Sequence, residues 1–93
     1  MAKKKITLSV AIAVYNEEKN LGACLSSIAS IADEIVLVDG GSTDNTIEIA
    51  RKFTSKIIRT DNPPIFHLNK QKALDACTGD WILQLDADEV VTP

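Results

Sequence analysis

The sequence predicts an α/β domain, a four-stranded parallel sheet with helices on both faces, in the order βαβαβαβ. Three observations lead there. Short apolar runs rich in β-branched residues read as strands covered on both faces. Between them lie segments whose apolar residues recur at helical spacing. A chain of 93 residues that is 45% hydrophobic holds one core and no more.

The first strand is Ile6 to Val14 (ITLSVAIAV), nearly free of polar groups and therefore central. Lys3, Lys4 and Lys5 before it imitate the start of a secretory leader. An apolar region of only about seven residues, broken by Thr7 and Ser9, is at the bottom of the leader range, so the lysines read as a disordered, solubilising start. Asn16 is placed to cap a helix that opens with Glu17 and Glu18 and buries Leu21, Cys24, Leu25 and Ile28. Ile35 to Val38 forms the second strand, stopped by Asp39-Gly40-Gly41. Ser42 or Thr43 can then cap a helix that Asp44 opens and that buries Ile47, Ala50 and Phe53.

A third short strand is expected near Lys56 to Arg59. Asp61-Asn62-Pro63-Pro64 can continue neither a helix nor a central strand, so a loop follows, with His67 in it. The third helix runs from about Asn69 to Cys77, with Lys70, Ala73, Leu74 and Cys77 on one stripe and Gly79 as a left-handed stop. Trp81 to Leu85 (WILQL) is the fourth strand, with Trp81 packed in the core or at the rim, and Asp86-Ala87-Asp88-Glu89 follows it directly. Right-handed crossovers and the strand order 3-2-1-4 bring the carboxyl ends of the strands to one rim, where the chain reverses direction and ligands collect.

Composition narrows the function. Thirteen acidic against ten basic residues give a net charge of −3, with no basic stripe for nucleic acid. One Trp, one Tyr and two Phe leave little to stack on bases. No run approaches the ~18 apolar residues of a membrane span. Cys24 and Cys77, without CxxC spacing, read as buried free thiols in a reducing, cytoplasmic setting.

Asp86-x-Asp88 is the sharpest chemical signal. Two carboxylates just past a buried strand can approach one hard cation such as Mg²⁺, whose other positions go to water and substrate phosphate. The plain alternative is a solvated acidic turn. Asp39, followed by two glycines, can accept hydrogen bonds from a base or ribose, or it can simply close its own tight turn. Asp44 reads mainly as a helix-start residue. The loop Val14-Tyr15-Asn16-Glu17-Glu18 has no glycine and two negative charges, so it disfavours a glycine-rich dinucleotide loop or a P-loop. A diphosphate would have to be met by a cation at Asp86 and Asp88 and by Lys70 or Lys72, which otherwise are surface lysines.

Taken together, Val10 to Glu18 (VAIAVYNEE), Ile35 to Thr46 (IVLVDGGSTDNT) and Thr78 to Glu89 (TGDWILQLDADE) resemble the family 2 glycosyltransferases of GT-A fold, and within them the bacterial subgroup that builds lipopolysaccharide cores and related cell-surface glycans. Three motifs in order cover nearly the whole chain. The resemblance implies transfer of a sugar from a nucleotide diphosphate donor, usually UDP, to a glycan or lipid-linked acceptor, with Mg²⁺ or Mn²⁺ at the DxD motif. It implies that Ala13, Tyr15 and Glu17 line the nucleoside pocket, that Asp39 reads the base, and that Lys70 faces the donor. Asp86 is then directed toward ribose and sugar, and Asp88 toward the cation, with Asp86 beside it. In a full-length form the family places such a domain in the cytoplasm or at the inner membrane face.

Two departures stand out. Many members have two acidic residues where this chain has Asp39-Gly40, and the sequence stops at Pro93, whereas the family's acceptor-binding part and general base follow the DxD motif. Residues 1–93 are therefore expected to form a single donor-binding domain, inactive alone because a general base contributes roughly 10² to 10⁴ in rate. Two other readings compete. Leu85 to Val90 also fits the first motif of haloacid-dehalogenase-type phosphatases, and an uncovered apolar edge at WILQL suits a noncatalytic module that self-associates.

Overall fold

The computed structural model describes residues 7–61 and 66–92. In chain order the elements are β1 (Leu8–Val14), α1 (Leu21–Ile28), β2 (Glu34–Asp39), α2 (Thr46–Arg51), β3 (Ile57–Arg59), α3 (Phe66–Ala76) and β4 (Trp81–Asp86). The lysine-rich start, Ile6 and the Asn62-Pro63-Pro64 loop lie outside the described residues.

All four strands are parallel, in the order β3-β2-β1-β4, as the sequence predicts. β1 is central because it is the most apolar strand. From Val10 to Val14 every residue is at most 3% exposed. Its alternation sends Val10, Ile12 and Val14 to one face, where they pack with Leu21, Cys24, Leu25 and Ile28 of α1, Ala50 of α2 and Leu85 of β4. The opposite face is built of smaller residues. Ala11 meets Val36, Val38 and Ala73, and the short side chains let α3 lie close to the sheet. Three layers result, with α1 and α2 on one side and α3 on the other.

The amino ends of the strands are tied by one carboxylate. Glu34 accepts hydrogen bonds from the Ser9 hydroxyl (2.6 Å), the Thr78 N–H (2.8 Å) and the Thr78 hydroxyl (3.1 Å), and it pairs with the Lys56 ammonium. These bonds, led by Lys56, hold its pKa down from 4.5 to about 2. Gly79 completes the tie by donating its N–H to the Ser9 hydroxyl at 2.8 Å.

Several local expectations are corrected. Gly79 is not a left-handed helix stop, since Gly41 alone among the glycines described has positive φ. It is glycine because a Cβ would sit 2.5 Å from Ser9 Oγ. α1 begins at Leu21, after a turn closed by the Glu17 carbonyl, which accepts from the N–H groups of Asn20 and Leu21. Asn16 is therefore not its cap. α2 begins at Thr46, and neither Ser42 nor Thr43 caps it. His67, expected in a loop, falls within α3, which starts three residues earlier than the sequence suggested. Trp81 is 68% exposed on the edge strand rather than packed, and Cys77 is only partly buried.

Candidate functional site

The register of the sheet sets the geometry of the rim. Val14 pairs with Asp39 on one side, and Ala13 pairs with Asp86 on the other. The two aspartates thus end the strands flanking β1, roughly 10 Å apart by ordinary strand spacing. The reversal of chain direction lies between β1 and β4, and a cleft of about 260 Å³ opens there. It is lined by Ala13, Tyr15, Glu17, Lys70, Asp86, Ala87 and Asp88. Six of these were singled out from the sequence; Ala87 was not.

Each residue reaches the cleft for a local reason. Ala13 is the penultimate residue of β1, on the small-residue face. Tyr15 is 40% exposed just past the strand. Asn16 takes φ 51°, a left-handed conformation that asparagine tolerates, and so turns the chain sharply between Tyr15 and Glu17. Lys70 lies in the amino-terminal half of α3, and its ammonium is 3.1 Å from Asp86 Oδ1. Lys72 is exposed and does not line the cleft, so of the two lysines weighed it is Lys70 that faces the rim.

Asp86 to Glu89 forms a tight turn. The Glu89 N–H donates to the Asp86 carbonyl at 2.9 Å, and the Asp86 N–H donates to the Glu89 carboxylate at 2.8 Å. Ala87, 5% exposed, points down into the core, which turns the Asp88 carboxylate outward beside Asp86. Beneath the turn Cys24 is fully buried, and burial first, then the carboxylates of Glu89, Asp88, Asp86 and Glu17, push its thiol up to about 11.

Asp39 is placed differently. Its side chain is fully buried and does not line the cleft. Oδ2 accepts from the N–H groups of Gly41 (3.0 Å) and Ser42 (2.9 Å), and Oδ1 accepts from the Ser42 hydroxyl. Arg59 Nε stands 3.8 Å away. Gly41 earns its glycine here, with φ 99° and room for no more than a tight Cβ at 3.3 Å from the Thr60 carbonyl. The turn-closing alternative for Asp39 is thus present in the structure.

The residues the sequence offered as helix caps serve another purpose. They lace the loop after β1 to the loop after β2. The Asn16 N–H donates to Ser42 Oγ (2.8 Å), the Thr43 N–H donates to Asn16 Oδ1 (2.8 Å), and the Glu17 N–H donates to Thr46 Oγ1 (2.9 Å). Asp44 Oδ1 accepts from the Thr46 N–H at 3.0 Å, in keeping with its reading as a helix-start residue. Asn69 is a further rim residue that sequence reasoning passed over. It is fully buried and accepts from the Thr60 hydroxyl at 3.1 Å. Its setting in the sequence, between Leu68 and Lys70, gave no signal.

Among the described residues no group of three or more His, Cys, Asp or Glu is assembled around one point. Asp86 and Asp88 are the two carboxylates that the turn after β4 brings to the cleft, with Glu17 lining it as well. That number suits Mg²⁺ or Mn²⁺, which take one or two carboxylates and leave the rest of the shell to phosphate and water. No described helix is long and apolar enough to cross a membrane.

Comparison with known proteins follows the same lines. Residues 9–93 match the family model described as glycosyl transferase family 2. The chain is 39% identical over 89 residues to the lipopolysaccharide core biosynthesis glycosyltransferase LpsC of Rhizobium meliloti, a match covering 91% of this chain and 33% of LpsC. Among solved structures it superposes on Staphylococcus aureus TarS 1-349 in complex with UDP with a TM-score of 0.71 at 29% identity, covering 89% of this chain and 28% of that one. It superposes on glucosyl-3-phosphoglycerate synthase of Mycobacterium tuberculosis, in complex with Mn²⁺ and uridine-diphosphate-glucose, with a TM-score of 0.74 at 25% identity, covering 91% of this chain and 34% of that one. The chain spans 20% to 33% of the length of eight curated relatives that it matches.

Proposed function

The chain belongs to glycosyl transferase family 2, and from that premise we propose that it is the donor-binding part of an enzyme moving a sugar from UDP to a glycan or lipid-linked acceptor. The observation that carries this reading is the convergence of Tyr15, Glu17, Lys70, Asp86 and Asp88 on one cleft at the switch point of the sheet. The neighbour solved with Mn²⁺ and uridine-diphosphate-glucose, and the one solved with UDP, support the choice of nucleotide. LpsC, a lipopolysaccharide core glycosyltransferase, supports a cell-envelope glycan as acceptor.

The residue roles follow from chemistry. Ala13, Tyr15 and Glu17 form the wall against the nucleoside, Ala13 giving room and Tyr15 an apolar ring. Asp88 holds the divalent cation, with Asp86 beside it. When bound, Mg²⁺ or Mn²⁺ neutralises the charge that develops on the departing diphosphate. Lys70 shares its ammonium between Asp86 and the diphosphate, so it both orients the carboxylate and attracts the donor. Asp39 reads the base through its last acceptor position. A carboxylate offers about four such positions, and Gly41 and Ser42 take three of them. Reading therefore requires that the Gly40–Ser42 turn yield to admit the base.

The phosphatase alternative draws no support from the matching family. Self-association remains part of the proposal, because β4 is an edge strand with Trp81 68% and Ile82 44% exposed.

Isothermal titration of the full chain with UDP in the presence of Mn²⁺ tests the donor site. UDP binding that Mn²⁺ strengthens, with the strengthening lost in Asp88→Ala, is the expected result. No binding, or binding indifferent to Asp88→Ala, would overturn it.

A further inference from the structure

The turn that carries Asp88 is held from below by a helix that does not itself reach the cleft. α1 presents Cys24 and Ser27, one turn apart, to the segment running from Asp86 to Val91. Cys24 Sγ donates to the Asp86 carbonyl at 3.6 Å. Ser27 Oγ accepts from the Val91 N–H at 3.0 Å while donating to the Cys24 carbonyl at 2.6 Å. One end of the acidic turn is thereby fixed to Cys24 and the residue beyond it to Ser27. Between these anchors Ala87 is sunk in the same core cluster as Leu21, Cys24 and Leu25.

We propose that Ser27 and Cys24 are positioning residues that fix the Asp86–Val91 segment and so present the Asp88 carboxylate to the cation. The inference rests on the reading of Asp88 as the cation ligand. Its physical basis is that a two-carboxylate site has little redundancy. With Asp86 and Asp88 both carried on this turn, a turn that wanders dilutes the carboxylates in the cleft, whereas a pinned turn presents them ready-made. The hydroxyl of Ser27 is suited to the task because it is itself oriented. Its proton is committed to the Cys24 carbonyl, which leaves its lone pairs directed at Val91.

The test separates positioning from mere stability. Two affinities are measured on the full chain by isothermal titration, Mn²⁺ at saturating UDP and UDP in EDTA, alongside the melting temperature. Ser27→Ala is expected to weaken Mn²⁺ binding on the order of tenfold, the low end for lost outer-shell support, with UDP affinity in EDTA unchanged. Ser27→Thr, which keeps the hydroxyl, restores Mn²⁺ binding. Cys24→Val, which keeps volume but removes the donor, weakens Mn²⁺ in the same direction and provides a second route if Ser27→Ala does not fold. Unaltered Mn²⁺ affinity in both Ser27→Ala and Cys24→Val overturns the proposal, as does an equal loss of Mn²⁺ and metal-free UDP binding. A wild-type chain that binds UDP without regard to Mn²⁺ overturns the donor-site reading instead, and this inference with it.

Discussion

Glu34 shows how much of this fold can hang on one side chain. Its carboxylate gathers Ser9, Lys56 and Thr78, which come from three separate stretches of sequence. Because its pKa falls from 4.5 to about 2 on folding, the stabilisation is complete above pH about 4.5 and is lost as the pH drops through about 2. Acid titration of stability, followed by circular dichroism, should therefore show a drop between those values that Glu34→Gln lacks. The variant should also melt lower at neutral pH. Parallel curves for the two proteins would remove Glu34 from the account. None of this was legible in the sequence, where Glu34 is one acidic residue among thirteen. The rim was more readable, since Asp86 and Asp88 directly follow an apolar strand, although the pattern did not choose between Lys70 and Lys72. Asn16 and Ser42 were noticed for the right chemistry, a side-chain oxygen meeting a backbone N–H, but assigned the wrong partner. Local capping rules look along the chain, and these two bond across to each other's loop.

At the scale of elements, the strands were legible because burial on both faces leaves an unmistakable apolar run, and the observed order 3-2-1-4 is the common one for a sheet of this kind. Helix starts were not, because the residues before α1 and α2 are held by bonds between the two loops that override cap preference. The glycines divide in the same way. Gly22 lies inside α1, where a Cβ would meet Ile49 Cγ2 at an ordinary 3.9 Å. Gly22→Ala should stabilise the chain by about 0.5–1 kcal/mol through helix propensity. Gly79 lies where the chain passes over β1, and a Cβ there would come within 2.5 Å of Ser9 Oγ and 2.9 Å of the Ser9 nitrogen. Gly79→Ala should destabilise by about 1–3 kcal/mol, the usual penalty for overpacking. Urea denaturation of the two variants decides the matter, and shifts of the same sign would contradict the packing described.

Over the whole molecule, the sheet has one sealed end and one open end. The Glu34 tie closes the amino ends of the strands, and the cleft occupies the carboxyl ends. Among the described residues its two lateral edges also differ. β3 has three residues and is short, whereas β4 has six and exposes Trp81 and Ile82. A long apolar edge invites pairing with a second copy. Light scattering after size exclusion should show concentration-dependent association that Ile82→Lys abolishes. A wild-type monomer across the concentration range would count against that edge as an interface.

The central place of β1 has a consequence for the time course of synthesis. Val10 to Val14 is made well before its partner on one side, which ends at Asp86, 72 residues after Val14. At about 5–20 residues per second, the most apolar strand of the domain waits several seconds beside the ribosome with half its hydrogen bonds unmet. Nascent β1 thus stays unpaired on that side until β4 has been made.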